Sequence, residues 1–403
     1  MNAVPPVERL EAELDAITRR EAEVRAWVAR ADDDQLRRAV AEAGPGPLHG
    51  FTLGVKDVID TAVLPTECGS PIHRGRLAGA DAACVALARR AGAVVSGKTA
   101  TTEFAVLTPT VTTNPHDRTR TPGGSSSGSA AAVASAMVRV AFGTQTAGSV
   151  IRPASFCGVC GFKPTFNLVP VTGVHPVAAS LDTVGWFATT VADVAAVHEA
   201  LTGEVPHAAQ ERWRVGLYRS HQWDAADADT VAALDRAATV LRQAGATVTE
   251  VPPFDALAGA AEAATTIMVR EAARSFAWER AEHEVLLSSG LRKLLAQGDA
   301  CTPDAYAGAQ RAAQRARDGF DAAMAGFDVL LTPAVVGEAP PIATTGDPVF
   351  CRVWTMLGVP ALTVPAGTGR AGLPVGVQLV GARWEDRTVL AAGASLERAL
   401  GGG

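Results

Sequence analysis

Two clusters of small hydroxyl-bearing residues and one lysine are where this sequence could do chemistry. Residues 122–129 read Pro-Gly-Gly-Ser-Ser-Ser-Gly-Ser, and a second small-residue turn runs Gly143-Thr144-Gln145-Thr146-Ala147-Gly148-Ser149. Alone, a Gly/Ser cluster is more often a flexible loop than a site. Here the first cluster leads straight into a small-residue helix near 128–138, so its backbone N–H groups can form an anion-binding nest. Ser149 stands 24 residues after Ser125, enough chain for a helix and a strand to bring the two hydroxyls together. A serine attacks poorly unless a base removes its proton. Lys56 lies in the apolar stretch TLGVKDVI, a setting consistent with burial. Taken singly, Lys56 reads as a surface salt bridge to Asp57 or Asp60, and either serine as a loop hydroxyl or helix cap.

The elements that would hold these residues alternate between helix and strand. Val7, Leu10, Leu14, Ile17, Val24 and Trp27 make one apolar stripe along a charged N-terminal helix. A second short helix follows a cap at Asp32–Asp34 and ends before Gly44-Pro45-Gly46-Pro47. FTLGVKDVID begins as a strand, residues 81–91 read as a helix, and AVVSGKT reads as a buried strand. Residues 108–128 form a long loop, and loops of that length inside a compact domain are usually functional. Beyond it, 229–251 gives a helix and the strand ATVTEV, and 256–326 is helical and Ala-rich. DVLLTPA, PALTVPAG and VGVQLVGA read as strands before a last helix near 386–400. This alternation places the chain in the α/β class. There are no repeats, and 203–212 is a weak linker candidate that does not divide the domain.

With 48% hydrophobic and 19% charged residues among 403, the chain can bury a large core. A formal charge of −6 with interspersed acids and bases gives no basic stripe, which argues against a nucleic-acid partner. The start MNAVPPVERLEAELDA lacks the layout of an export signal, and no apolar run reaches a membrane span. The expected location is therefore cytoplasmic, with no membrane association. Cys68, Cys84, Cys157, Cys160, Cys301 and Cys351 are too scattered for a disulfide framework. Cys157 and Cys160 have C-x-x-C spacing without a second ligand pair, so they read as two buried small residues. No metal and no other cofactor is expected.

The hydroxyl clusters also carry a resemblance. GGSSSGSAAAVA followed by GTQTAGSVIRPASFCGVCGFKPT resembles the amidase signature family. The agreement continues through GPLHGFTLGVKDVID, GKTATTEFA, SLDTVGWFATTVADV, DVLLTPA, GVPALTVPAG and LPVGVQLVG, leaving the N-terminal helices and about 205–325 divergent. The resemblance implies one α/β domain over 1–403, with a central mixed, mostly parallel twisted sheet covered by helices on both faces. It also implies that the helical region 252–326 forms a pocket wall. The N-terminal helices (1–44) are expected to dock on the chain's own body or on a second copy, and family analogy points to a homodimer. By the same resemblance Ser149 is the nucleophile, Ser125 a bridging serine reached through a cis peptide bond, and Lys56 the base. The backbone amides of Thr146, Ala147, Gly148 and Ser149 would form an oxyanion hole. Gly124, Ser126 and Trp186 are expected at the substrate, with Ser127 and Thr144 in support, although Trp186 and Phe187 suit the core equally well. No G-x-S-x-G elbow surrounds Ser149, so a Ser-His-Asp triad is not expected. His49 fits a structural role in the GPLHG turn, and His116 a place at the pocket rim.

The chain departs from the family's usual wording, G-T-D-T-G-G-S-I-R-x-P, around Ser149. Gln145 replaces the Asp, Ala147 a Gly, and Ile151 the Arg, while Arg152 stands one place later. Losing both charges of an Asp–Arg pair together avoids leaving one buried alone. The displaced Arg152 is expected to face the acyl pocket and bind a substrate carboxylate; its alternative is to bind backbone carbonyls. This wording resembles the malonamidase branch. The implied activity is hydrolysis of a small linear amide bearing a carboxylate, through a Ser149 acyl-enzyme. Two alternatives stay open: an amide-forming acyltransferase, and the glutaminase component of a transfer-RNA amidotransferase.

Overall fold

The N-terminal stripe splits into a helix and a strand. In the computed structural model, which describes residues 4–207 and 212–401, α1 (Pro6–Val24) stops at Arg25, whose backbone is left-handed at φ 54°. The Glu21 carboxylate accepts from the amides of Ala26 and Trp27 at 3.0 Å each, and β1 (Trp27–Arg30) follows. Trp27 therefore lies on a strand, because a carboxylate cap broke a pattern that periodicity alone would continue. Leu10, Leu14, Ile17 and Val24 pack with Val94, Ala130 and Val133 on the chain's own body, while Val7 is exposed. α2 (Asp33–Ala41) is capped by Asp32, which accepts from Asp34 N and Gln35 N. The linker candidate 203–212 falls partly on 208–211, outside the described residues.

After β2 (Thr52–Lys56) come α3 (Ala83–Arg90), β3 (Val94–Thr99), α4 (Ser127–Ala134) and β4 (Val140–Gln145). Next are α5 (Ile151–Cys157), β5 (Cys160–Lys163), β6 (Thr183–Ala188), α6 (Val191–Thr202), β7 (Arg214–Tyr218), α7 (Ala228–Gln243) and β8 (Thr247–Val251). The helical region holds α8 (Ala260–Ser275), α9 (Ala277–His283), α10 (Ser289–Ala300) and α11 (Pro303–Met324). β9 (Val329–Pro333), α12 (Arg352–Leu357), β10 (Ala361–Thr368), β11 (Pro374–Val380) and α13 (Asp386–Ala399) complete the chain. The strands form one sheet in the order β1-β3-β2-β4-β6-β5-β10-β11-β9-β7-β8.

The sheet is mixed, but it is mostly antiparallel rather than mostly parallel. β2 runs parallel to β3 and β4, and β7 to β8 and β9, whereas six other pairings, including the whole central run from β4 to β9, are antiparallel. A strand buried on both faces reads as one apolar run in either orientation, so the hydrophobic pattern could not separate the two.

Position follows from the parallel pair β2 and β4. Val55 stands opposite Phe142, which sets Lys56 beside the end of β4 at the carboxyl edge of both strands. Crevices at such edges are the usual ligand sites of open α/β sheets. The small residues of α4 let it lie close to this edge. A Cβ on Gly128 would collide with the Ala26 carbonyl and the Ala100 amide. Ser129 Oγ donates to the Phe142 carbonyl at 2.8 Å, tying helix to strand.

Candidate active site

Lys56 is fully buried, and its Nζ donates to Ser125 Oγ at 2.7 Å and to Thr144 Oγ1 at 2.8 Å. The salt-bridge reading fails because the two nearby acids are taken. Asp57 pairs with buried Lys98 at 3.6 Å, and Asp60 with Arg76 at 2.5 Å. Among the described residues, no carboxylate lies within salt-bridge distance of Lys56. Burial therefore pushes its pKa well below the ordinary lysine value, and the more distant charge of Asp182 pulls back only in part.

The Gly124–Ser125 peptide bond is cis, and Ser125 and Ser149 line the same pocket. Ser127 Oγ donates to the Gly123 carbonyl at 2.7 Å, and Ser126 Oγ to the Thr144 carbonyl at 3.3 Å. Ser126, expected at the substrate, instead ties the serine loop to β4. Gly124 is likewise off the pocket lining, and its carbonyl is used from behind by Arg152. Thr144 accepts from Lys56 through its hydroxyl. Among the described residues Ser149 Oγ makes no hydrogen bond within the protein, so it faces the pocket as an uncommitted hydroxyl.

The turn before Ser149 is built around Gln145. Its Oε1 accepts from Val150 N at 2.8 Å and Ile151 N at 3.1 Å, while Nε2 donates to Thr355 Oγ1 at 3.0 Å. Thr355 Oγ1 in turn donates to the Ala147 carbonyl at 2.9 Å. An uncharged amide thus ties the turn to Thr355 without burying a charge, and Ile151 occupies a buried apolar site. The amides of Thr146, Ala147, Gly148 and Ser149 donate to no acceptor among the described residues, which leaves them free to meet an oxyanion. Ala147 is not among the residues with positive φ, so its methyl group imposes no backbone strain.

Sequence reasoning missed two residues of this turn, Thr355 and Asp182. The Asp182 Oδ1 accepts from Thr146 Oγ1 at 2.5 Å, and Oδ2 accepts from Val177 N and Ala178 N at 2.8 and 3.0 Å. Burial raises its pKa to about 6 despite these hydrogen bonds. Its signal was present in the SLDTVGWFA block, where an acid precedes a fully buried strand. Asp182→Asn puts an amide donor among three donors, and loosening the turn is expected to lower kcat by roughly 10- to 100-fold. KM and near-UV circular dichroism should change little, and an unchanged kcat would remove Asp182 from the positioning of this turn.

The pocket is a cavity of about 100 Å³. Val106, Leu107 and Val177 line it together with Met268 of α8 and Leu294 of α10. Arg152 is the cation of this lining, only 5% exposed. Nη2 donates to the Gly124 carbonyl at 2.6 Å, but Nε and Nη1 are buried with no acceptor. Asp347 is paired with Arg352. Burial lowers the Arg152 pKa to about 10. Two expectations are corrected here. Trp186 is wholly buried in the core, stacked edge-on against Phe162 with its indole N–H donated to the Val194 carbonyl. His116 is off the pocket rim, its Nε2 bonded to the Cys157 carbonyl at 2.9 Å. His49 holds its own turn through Nδ1 and the Gly44 carbonyl. Cys157 and Cys160 are buried free thiols whose pKa burial pushes up.

The amidase family model matches residues 8–390 of this chain. The chain belongs to the amidase family. It is 33% identical to a glutamyl-tRNA(Gln) amidotransferase subunit of Chloroflexus aggregans, over 97% of this chain and 92% of that protein. Among solved structures it is similar to an amidase at TM-score 0.89 and 31% identity, covering 98% of this chain and 96% of that one. It is also similar to the peptide amidase of Stenotrophomonas maltophilia, at TM-score 0.82 and 30% identity over 99% and 94% of the two chains. The protein is thus an amide-hydrolysing enzyme of single-domain α/β architecture. No described helix is long and apolar enough to cross a membrane.

Proposed function

We propose that this amidase hydrolyses a small linear amide whose acyl part bears a carboxylate, through an acyl-enzyme on Ser149. Neutral Lys56 accepts the Ser149 proton by way of Ser125 as the hydroxyl attacks the amide carbon. The free amides from Thr146 to Ser149 hold the oxyanion, and the same proton then leaves with the departing amine. A water repeats the sequence, releasing the acid and restoring Ser149. Base, relay and oxyanion donors for these steps all come from the chain itself.

The observation that carries the substrate class is Arg152, a buried guanidinium with two unmatched donors in an apolar pocket wall. Burying a lone charge is costly, and a carboxylate supplied by the substrate offsets that cost through charge-assisted hydrogen bonds. The wording around Ser149, which resembles the malonamidase branch, agrees with this reading. Arg152→Ala is expected to lower kcat/KM by 100-fold or more, about 3 kcal/mol, on mono-amides of dicarboxylic acids. On neutral alkyl or aryl amides it should change by about threefold at most. Equal losses on both series would sink the carboxylate reading.

The similarity to amidotransferase subunits favours a second reading, glutamine as the amide, since its amino-acid head also carries a carboxylate. Ammonia release from glutamine by the chain alone, faster than from simple dicarboxylic mono-amides, would select it.

A further inference from the structure

Three side chains outside the pocket converge on one point. His73 ends a short 3₁₀ turn (Pro71–His73), His175 follows the bridge between Ile59 and Val174, and Glu279 lies on α9. The Glu279 Oε1 is 2.9 Å from His175 Nε2 and 3.5 Å from His73 Nε2, and all three atoms lie within 4.8 Å of one another. The carboxylate is 6% exposed and each imidazole 13%. Both rings are held by aromatic neighbours. His73 stacks on Trp278 at 5.7 Å and meets Phe104 edge-on, and His175 packs on Phe104 at 5.0 Å and Phe276 at 5.5 Å.

A plain His–Glu hydrogen bond accounts for His175 but not for His73. The His73 Nε2 is buried, makes no hydrogen bond, and still points at the same carboxylate oxygen. A buried polar atom without a partner calls for an explanation. We propose that His73, His175 and Glu279 form a divalent metal site of the Zn²⁺ type. Tetrahedral coordination at about 2.0–2.1 Å places ligand atoms about 3.3–3.4 Å apart, between the two separations found here. Two imidazoles and one carboxylate suit zinc and its first-row neighbours rather than Mg²⁺ or Ca²⁺, which prefer oxygen-only sets. Three protein ligands leave a fourth position for water.

The site braces the pocket from outside and does not enter it. Phe104, packed on both imidazoles, adjoins Ala105 of the pocket lining, and His175 is two residues from Val177 on the same lining. Glu279 brings in α9, which follows the α8 helix that supplies Met268. A bound ion would therefore clamp the helical wall to the body. The His175 Nδ1 is buried without an acceptor, so the outer hydrogen bond that usually strengthens a zinc-bound imidazole is missing. Losing such a partner typically costs 10- to 100-fold in affinity, so the ion is expected to exchange with solution.

The test uses the full chain after chelation and dialysis. Calorimetric titration with ZnCl₂ should give one saturable equivalent and raise Tm, since an ion that binds only the folded state stabilises it. His73→Gln should weaken binding at least tenfold and abolish the Tm rise, while metal-free turnover of a neutral amide stays at the parent level. Titration with Co²⁺ gives a second readout that needs no variant: the visible bands of a four-coordinate ion support the site. Zn²⁺ binding that is equal in parent and His73→Gln, no Tm rise in the parent, or only the weak spectrum of six-coordinate Co²⁺ would overturn it.

Discussion

Ser149→Ala is expected to cut kcat by about 10⁴- to 10⁶-fold while leaving fold and Tm nearly unchanged. The size follows from what remains. Without the nucleophile, the oxyanion amides and the pocket can still bind substrate, but no acyl-enzyme forms. The variant should stay folded because Ser149 Oγ makes no hydrogen bond among the described residues, and a methyl group fits where a hydroxyl did. The measurement also has to decide between two serines. Ser125 Oγ lies 2.7 Å from Lys56 Nζ, so by distance to the proposed base alone it is the better placed hydroxyl. The free amides favour Ser149 as the proposed nucleophile, since they belong to the turn that carries it and not to the loop of Ser125. A serine-directed phosphonate should therefore modify residue 149 in the parent and in Ser125→Ala, more slowly in the latter, and should leave Ser149→Ala unmodified. A phosphonate found on Ser125 in the parent would reverse the two roles.

The site was more legible than the sheet that holds it. Lys56, Ser125, Ser149 and the turn from Thr146 to Gly148 belong to short, distinctive blocks that can be read directly in the sequence. Strand direction is not written that way. β5 and β10 are antiparallel neighbours at the centre of the sheet, yet each reads as a buried apolar run that a parallel strand would match. The same ambiguity misplaced Trp186. An indole in a strand one residue from other apolar side chains can face pocket or core, and its bond to the Val194 carbonyl depends on α6, which local sequence cannot position. Asp182 and Thr355 were missed because they act across large separations, 36 and 208 residues from the turn residues they hold. Arg152 was the reverse case. A one-place shift of an arginine was visible in sequence, and the fold gave it the surroundings that make it informative, an apolar wall with two donors unmatched.

Lys56→Met tests the electrostatic premise of the site, because activity and stability should move in opposite directions. Loss of the base is expected to lower kcat by about 10³- to 10⁴-fold. As the proposed base, Lys56 must be neutral, so activity in the parent should fall as pH drops through the folded-state pKa, which burial holds well below the ordinary value. Stability follows from the same shift. An unfolded lysine titrates near pH 10.4. Between that pH and the lower folded value, the unfolded chain binds a proton that the folded chain does not, so protonation favours unfolding. The cost is absent above about pH 10.4 and grows as pH falls, until the folded pKa is reached. Met removes it, at the expense of hydrogen bonds to Ser125 and Thr144 worth about 0.5–1.5 kcal/mol each. Lys56→Met should therefore melt above the parent at neutral pH, with the advantage shrinking as pH rises toward about 10. Lys98, equally buried but paired with Asp57, supplies the contrast: its replacement by Met strands a carboxylate and should lower Tm at neutral pH. A Lys56→Met protein that melts below the parent with the same pH slope would mean that Lys56 is charged in the resting enzyme, and the base would have to be sought elsewhere.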